Sequence, residues 1–488
     1  MHLSNASLDR VPGLVRRPAY NRTAVTPGIV HLGIGAFHRA HQAIVIDDLL
    51  GTGPKNWGIV GASLRSPDTR DALAPQDSLY TVAVRSGAGT AHRVVGSILE
   101  TVVAPENPDR LIARLADPAT RIVSLTITEK GYCHIPQTGE LDEAHPDIVH
   151  DSKNPDAPRS AAGFIVAALA RRKAAGAAPF TVLSCDNLPA NGATTAKILN
   201  RFAALRAPEL GRWVAGEVAY PSTMVDRIVP ATTDADRAAV AKALGLTDAW
   251  PVVTEPFTQW VIEDRFPAGR PDFAAAGVQL VADVAPFEHM KLRLLNAAHS
   301  ALAYLGYLAG YETIAATMAD AHFAALARKL MDDAATTLAM PEGTDLGAYI
   351  ASLIDRFSNP ALHHRTWQIA MDGSQKLPQR LLGTMRDRLA RGQPTDTHAL
   401  AVAGWMRYVA GSDEHGRTID VRDPIATELA AIAQTAGPVA DRLAPELLAV
   451  SSVFGDLGAD PRVRAAVTHA LAQLYAFGAR RAVQASLA

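Results

Sequence analysis

Cysteine is nearly absent from this chain: 488 residues contain only Cys133 and Cys185. Two thiols exclude a disulfide framework, and such sparing use fits a reducing cytoplasm. Charge of one sign is also missing, with 47 Lys and Arg against 49 Asp and Glu. Without basic excess there is no electrostatic footprint for nucleic acid or an anionic membrane surface. No apolar run approaches the roughly 18 residues of a spanning helix. The most apolar stretch, Ala297 to Tyr311, is interrupted by His299, Ser300, Gly306 and Gly310, and reads as a buried helix. The opening MHLSNASLDRVPGLVRRP has no apolar core of signal-peptide length. Internal repeats and low-complexity linkers are lacking too. These absences lead us to expect a large soluble cytoplasmic protein, long enough for two domains.

What is present changes character along the chain. Gly28 to Gly33, Trp57 to Ser63, Arg121 to Thr128 and Phe180 to Cys185 are short apolar runs. Helical patterns such as Ala36 to Leu50 and Ser160 to Ala174 separate them. Tyr80 to Val84 and His92 to Val103 read as further strands, and Gly216 to Tyr220 as another. That alternation predicts an α/β domain with a mostly parallel sheet covered on both faces. From Phe287 onward the pattern is helical. We therefore expect a Rossmann-like dinucleotide-binding domain over 1–286 and a mostly α-helical substrate domain over 287–488.

Two constellations carry chemistry. The first is Gly33-Ile34-Gly35-Ala36-Phe37-His38, which leaves a strand and opens a helix. There the first glycine permits a tight turn, and the second lets the backbone approach a pyrophosphate at the helix start. The third glycine of the usual pattern is His38, so the turn alone is a weak signal. An acidic residue ordinarily ends the second strand and binds ribose hydroxyls. Here Asp68 comes late and Arg65 and Arg70 are near, which leaves NAD against NADP open. Glu129, after the strand Arg121 to Thr128, could face the cofactor side.

The second is Glu288-His289-Met290-Lys291-Leu292-Arg293-Leu294-Leu295-Asn296-Ala297-Ala298-His299-Ser300. At about 100° per residue, Lys291, Asn296 and His299 fall near 0°, 140° and 80° on one broad face. Polar groups converging on an apolar helix suggest alcohol–ketone interconversion. A lysine with its pKa lowered by burial can take a hydroxyl proton, and an amide N–H can stabilise an alkoxide. The competing reading is a surface lysine with two hydrogen-bonded neighbours. Asn187, in Ser184-Cys185-Asp186-Asn187-Leu188-Pro189, follows a strand and is placed to offer a second amide; a helix-capping Asx turn is the alternative. Cys185 has no Cys–His pattern and reads as a small core residue. His38 and His41 lack a third ligand of known spacing, so no metal is expected. Lys376 and Arg380, with His363, His364 and Arg365 upstream, form a basic cluster that suits a substrate carboxylate or simply a solvated face.

Taken together these segments resemble the polyol-specific long-chain dehydrogenases, the mannitol dehydrogenase family. The matching stretches are GIGAFHRAHQA from Gly33, TITEKGY from Thr126, SCDNLPANG from Ser184, TMVDRIVP from Thr223, EPFTQWVIED from Glu255 and KLRLLNAAHSALAYLG from Lys291. Within the family the resemblance is greatest to members that interconvert D-fructuronate and D-mannonate with NAD(H) in hexuronate catabolism. It rests on MPEGTDLGAY from Met340, RFSNPALHHRTWQIAMDGSQKLPQRLL from Arg356 and VAGWMRY from Val402.

The resemblance implies Lys291 as the acid/base of a zinc-independent reaction, and Asn187 and Asn296 as the oxyanion pocket. His299 would hold a substrate hydroxyl, and Glu288 would pass protons between Lys291 and water. Gly33, Gly35 and Phe37 would lie against the cofactor, where the residue reading adds Ala36, Asp68 and Glu129, although the family's acidic residue has no clear match near Ser63. Asp226, Lys376 and Arg380 would lie at a sugar acid or polyol. Mannitol-type members carry an arginine where this chain has Gln368. The alternatives are a mannitol- or arabinitol-type polyol 2-dehydrogenase, a decarboxylating hydroxyacid dehydrogenase, or a non-catalytic dinucleotide-binding protein. The residues leave open a monomer or a small homo-oligomer.

Overall fold

A computed structural model describes residues 1–136 and 138–487. The chain separates into two compact units, Met1–Ala285 and Pro286–Ala488.

The first unit is organised by a five-stranded parallel sheet. Its spatial order is Ile98–Val103, Gly58–Ser63, Pro27–Leu32, Ile122–Leu125, Thr181–Ser184. The first strand therefore lies in the middle. The chain works outward to one side, then returns to build the other, and the order reverses between Pro27–Leu32 and Ile122–Leu125. Ligands of open α/β sheets bind at the carboxyl ends of the strands flanking such a reversal.

Alternate residues of these strands feed two cores. Val30, Leu32, Val60, Ala62, Val123 and Leu125 pack on one face with Leu111, Phe164, Ile165 and Phe202. Ile29, Ile59, Ile98 and Ile122 pack on the other with Ile46, Leu50, Trp260 and Phe273. Burial on both faces is why the strands read as continuous apolar runs rather than alternating ones. Each fully buried Val, Ile or Leu contributes about 1.5–3 kcal/mol.

Several boundaries differ from the sequence reading. His92 to Val103 is two strands, Gly89–Val95 and Ile98–Val103. Gly216 to Tyr220 is not a strand: Pro208–Glu217 is a helix opened by proline, and the next strand is Thr223–Asp226. The valine and tyrosine there are buried, so their burial and not strand pairing explains the apolar run. The expected helix Ala36 to Leu50 breaks at His41 (φ −127°, ψ −88°) into Ala36–Ala40 and Gln42–Thr52.

The second unit is helical. Asp396–Val409 is buried through most of its length, beside Ala297–Leu308 and Pro461–Ala485. Gly404 allows the close approach, since a Cβ there would lie 2.8 Å from Leu305 Cδ2. Pro461–Ala485 is kinked at Gly478, and Ala479 N–H donates to Glu414 instead of continuing the ladder.

Candidate functional site

In the first unit the carboxyl end of Pro27–Leu32 runs into a glycine turn at Gly33 to Gly35. Gly33 has φ +93°, and a Cβ there would meet the Thr126 carbonyl oxygen at 2.1 Å. Only glycine fits, because the turn is both left-handed and pressed against the neighbouring strand. Gly33 N–H donates to the Ala62 carbonyl (2.9 Å), and Gly35 is the N-cap of Ala36–Ala40. Ala36 and Phe37 thus present first-turn N–H groups with no intrahelical acceptor. These features fit a dinucleotide pyrophosphate.

The missing third glycine has a structural counterpart. Its usual role is close packing of helix on sheet. Here the His38 ring stacks on buried His31, with centroids 3.4 Å apart and 12° between planes. Gly61 supplies the close approach instead, because a Cβ there would strike Ile34 Cδ1 at 2.2 Å. His31 also braces the turn. Thr126 Oγ1 donates to the Gly33 carbonyl (2.8 Å) and lies 2.8 Å from His31 Nε2. With the Thr126 proton committed, His31 Nε2–H is the donor and Nδ1 accepts from Ser124 Oγ (2.8 Å). Burial lowers the His31 pKa to about 3, so the ring is neutral.

At the second strand's end, Asp68 is exposed and accepts from Ser66 Oγ (3.0 Å). Arg70 is engaged by Asp71 and Glu106, while Arg65 is exposed. Glu129 is exposed and opens the short turn Glu129–Tyr132, because the strand already ends at Leu125. Asn187 is exposed on the loop after Thr181–Ser184, and Asp226 is buried at the end of Thr223–Asp226.

Asp186 was not singled out from sequence. Its carboxylate accepts N–H groups from Ile127 and Thr128 (3.0 Å each) and the Tyr132 hydroxyl (2.8 Å). It therefore ties the loop after one strand to the loop that carries Asn187. Burial holds its pKa up at about 6 despite these three donors. The clue in sequence was an acid directly after an apolar strand.

Cys185 is buried, and burial foremost, then Asp186, raises its thiol well above the ordinary range, against a nucleophilic role. His41 Nε2 faces the Gln259 carbonyl (2.9 Å). Among the described residues the trio that brings metal-ligating atoms together is Cys133, His145 and Asp147. There His145 Nδ1 accepts the Asp147 N–H as a helix cap (3.2 Å).

In the second unit the lysine stretch is not one uniform helix. Ala285–Met290 is α, Lys291–Asn296 is a π turn, and Ala297–Leu308 is α again. The Ala297 N–H reaches back five residues to the Leu292 carbonyl. In i→i+5 geometry each residue advances by less than the 100° of an α-helix. The 140° expected between Lys291 and Asn296 therefore narrows. Lys291 and His299 are buried, Asn296 and Glu288 are partly buried.

A second π turn, Pro378–Leu382, packs against the first. Pro378 removes a backbone donor and crowds the preceding turn, which accounts for the widening. From it Arg380 Nη1 donates to Ser300 Oγ (3.0 Å) and the Asn296 carbonyl (3.4 Å). Lys376 Nζ donates to the carbonyls of Ile369 (3.3 Å) and Met371. His299 stacks on Phe357 (5.1 Å, 25°) and leans on His364 (4.8 Å, 47°). Burial, then His364, Arg380, Arg356 and Lys376, press its pKa well below the ordinary value.

No helix among the described residues is long and apolar enough to cross a membrane. Residues 27–275 match the Mannitol dehydrogenase Rossmann domain, and 283–475 the Mannitol dehydrogenase C-terminal domain. The chain is 49% identical over 479 residues to D-mannonate oxidoreductase of Escherichia coli K12, covering 96% of this chain and 98% of that one. It is 44% identical over 470 residues to mannitol 2-dehydrogenase of Aspergillus fumigatus, covering 94% and 93%. Among solved structures it is similar to Pseudomonas fluorescens mannitol 2-dehydrogenase in ternary complex with NAD and D-mannitol, with TM-score 0.90, 42% identity and coverage of 100% and 99%. With both domains matched in order, the chain belongs to the mannitol dehydrogenase family.

Proposed function

We propose that this protein is an NAD-dependent oxidoreductase that interconverts D-mannonate and D-fructuronate, with Lys291 as acid/base and no call on zinc. The observation that carries the reading is the π turn, which brings Lys291 and Asn296 toward one face of a largely buried helix. NAD(H), held at the Gly33 turn by the first N–H groups of Ala36 and Phe37, supplies or takes up the hydride. In oxidation neutral Lys291 removes the substrate hydroxyl proton, and in reduction the ammonium returns it. The Asn187 and Asn296 amides donate to the developing alkoxide. Neutral, buried His299 holds a neighbouring hydroxyl, and Glu288, one turn before Lys291, exchanges the proton with water. Asp68 and Glu129 serve the cofactor side, and Asp226, Lys376 and Arg380 the substrate.

The test is NADH oxidation with D-fructuronate. Lys291→Ala should lower turnover by roughly 10²–10⁴-fold while NADH affinity is retained. A Lys291→Ala protein of near wild-type turnover overturns the assignment. The second reading, a mannitol-type polyol 2-dehydrogenase, is favoured by the 44% identity to the Aspergillus enzyme. D-mannonate against D-mannitol at matched concentrations decides between them.

A further inference from the structure

The role given to His299 leaves its immediate neighbour, His364, without a task. His364 is partly buried and lies on a braced segment: Ile314 N–H donates to its carbonyl (2.9 Å), and Thr313 and Arg365 form an antiparallel bridge. Its ring is 4.8 Å from the His299 ring. His299 is 8% exposed, and its Nε2 has no hydrogen-bond partner among them. His299 thus faces the His364 ring with a buried Nε2 whose hydrogen-bonding capacity is unspent, although buried polar atoms are normally satisfied. That capacity points to a ligand.

The sign of the surroundings indicates which kind. The charges acting most strongly on His299 are positive, from Arg380, Arg356 and Lys376, and Arg356 also acts on His364. Burial first, and these charges second, keep both rings neutral. A neutral imidazole still offers one N–H. With the His299 N–H given to a substrate hydroxyl, the His364 N–H in the same positive potential suits an anion, because a charged acceptor strengthens the bond. A hexitol would leave that potential unused.

We infer that His364 is a specificity-determining residue that, beside His299, takes the carboxylate end of a hexonate or hexuronate and so selects sugar acids over polyols. This rests on the sugar-acid reading proposed above and names a residue that reading does not use. Its side chain is reached from a different segment than Lys376 and Arg380, so the three can be separated by mutation.

The experiment combines turnover with binding. kcat and KM are measured for D-fructuronate and D-fructose with wild type, His364→Asp and His364→Gln, and D-gluconate and D-mannitol binding is followed by calorimetry. His364→Asp places a negative charge against the carboxylate. It should lower the ratio of kcat/KM for D-fructuronate over D-fructose by at least about tenfold, mainly through KM, and weaken gluconate binding alike. His364→Gln, which keeps an N–H, should recover part of the loss. Equal losses for both substrates, or an unchanged ratio, overturn the inference. If wild type turns over no uronate, the functional reading fails by itself. The inference about His364 then stands only if gluconate still binds and His364→Asp weakens it, and it falls if gluconate binds no better than mannitol.

Discussion

Arg380 holds Asn296 by its backbone: the guanidinium reaches the Asn296 carbonyl at 3.4 Å while its Nη1 also donates to Ser300 Oγ at 3.0 Å. A rigid planar donor from the facing π turn thus fixes the backbone of the residue proposed to carry the oxyanion.

Arg380→Ala should therefore lower kcat by about 10- to 100-fold with a uronate and with a ketose, because misplacing a positioned group slows every substrate. Arg380→Lys keeps the charge but not the fork, so it should recover only part of the loss. Steady-state kinetics on D-fructuronate and D-fructose provide the check. An effect confined to KM for the uronate would leave Arg380 only a charge role.

Gly33→Ala strikes the turn proposed to hold the cofactor. The left-handed φ of +93° and the Thr126 carbonyl 2.1 Å from the added Cβ cannot both be kept. Strain of about 1–3 kcal/mol is expected, with the turn displaced. NADH affinity, followed by fluorescence, should fall by about tenfold or more, and thermal unfolding should shift down. Wild-type affinity at an unchanged Tm would remove the turn from cofactor binding.

Asp186 gives a pH dependence opposite to that of an ion-paired carboxylate. Its folded pKa, about 6, lies above the ordinary aspartate value because burial outweighs its three donors. The folded state therefore binds more protons than the unfolded chain between about pH 4 and 6. Its contribution is fully favourable below about pH 4, declines as pH rises, and levels off above 6, a span of about 3 kcal/mol. Urea unfolding of wild type and Asp186→Asn at pH 4.5 and 7.5 tests this. The wild-type advantage should be larger at the lower pH. Equal differences at both would place the pKa in the usual range.

Much of the candidate site was legible because it sits on local patterns. Gly33, Lys291, Asn296 and His299 stand in short motifs flanked by apolar runs, and a strand–turn–helix or a helix face can be read without knowing what packs beside it. The parallel sheet was legible for the same reason, since strands buried on both faces are continuously apolar. The π turn was not. Whether a helix widens depends on what packs against it, here a second π turn introduced by Pro378 more than eighty positions later. Asp186 escaped notice because its donors, Ile127, Thr128 and Tyr132, come from a neighbouring strand's loop. His38 looked like a defect in the glycine pattern until His31 was found beneath it.

By itself the sequence determined most of the strands and helices, where an apolar face needs a partner, and which side chains have chemistry to offer. Those properties follow from residue type and spacing along a few turns of chain. Only the tertiary structure decided how the chemistry is arranged: that a π turn draws Lys291 and Asn296 toward one face, that Arg380 is spent partly on a backbone carbonyl, and that His364 leans on His299. Each is a contact or a helix widening set by segments distant in sequence, and local periodicity carries no record of the partner that produces it.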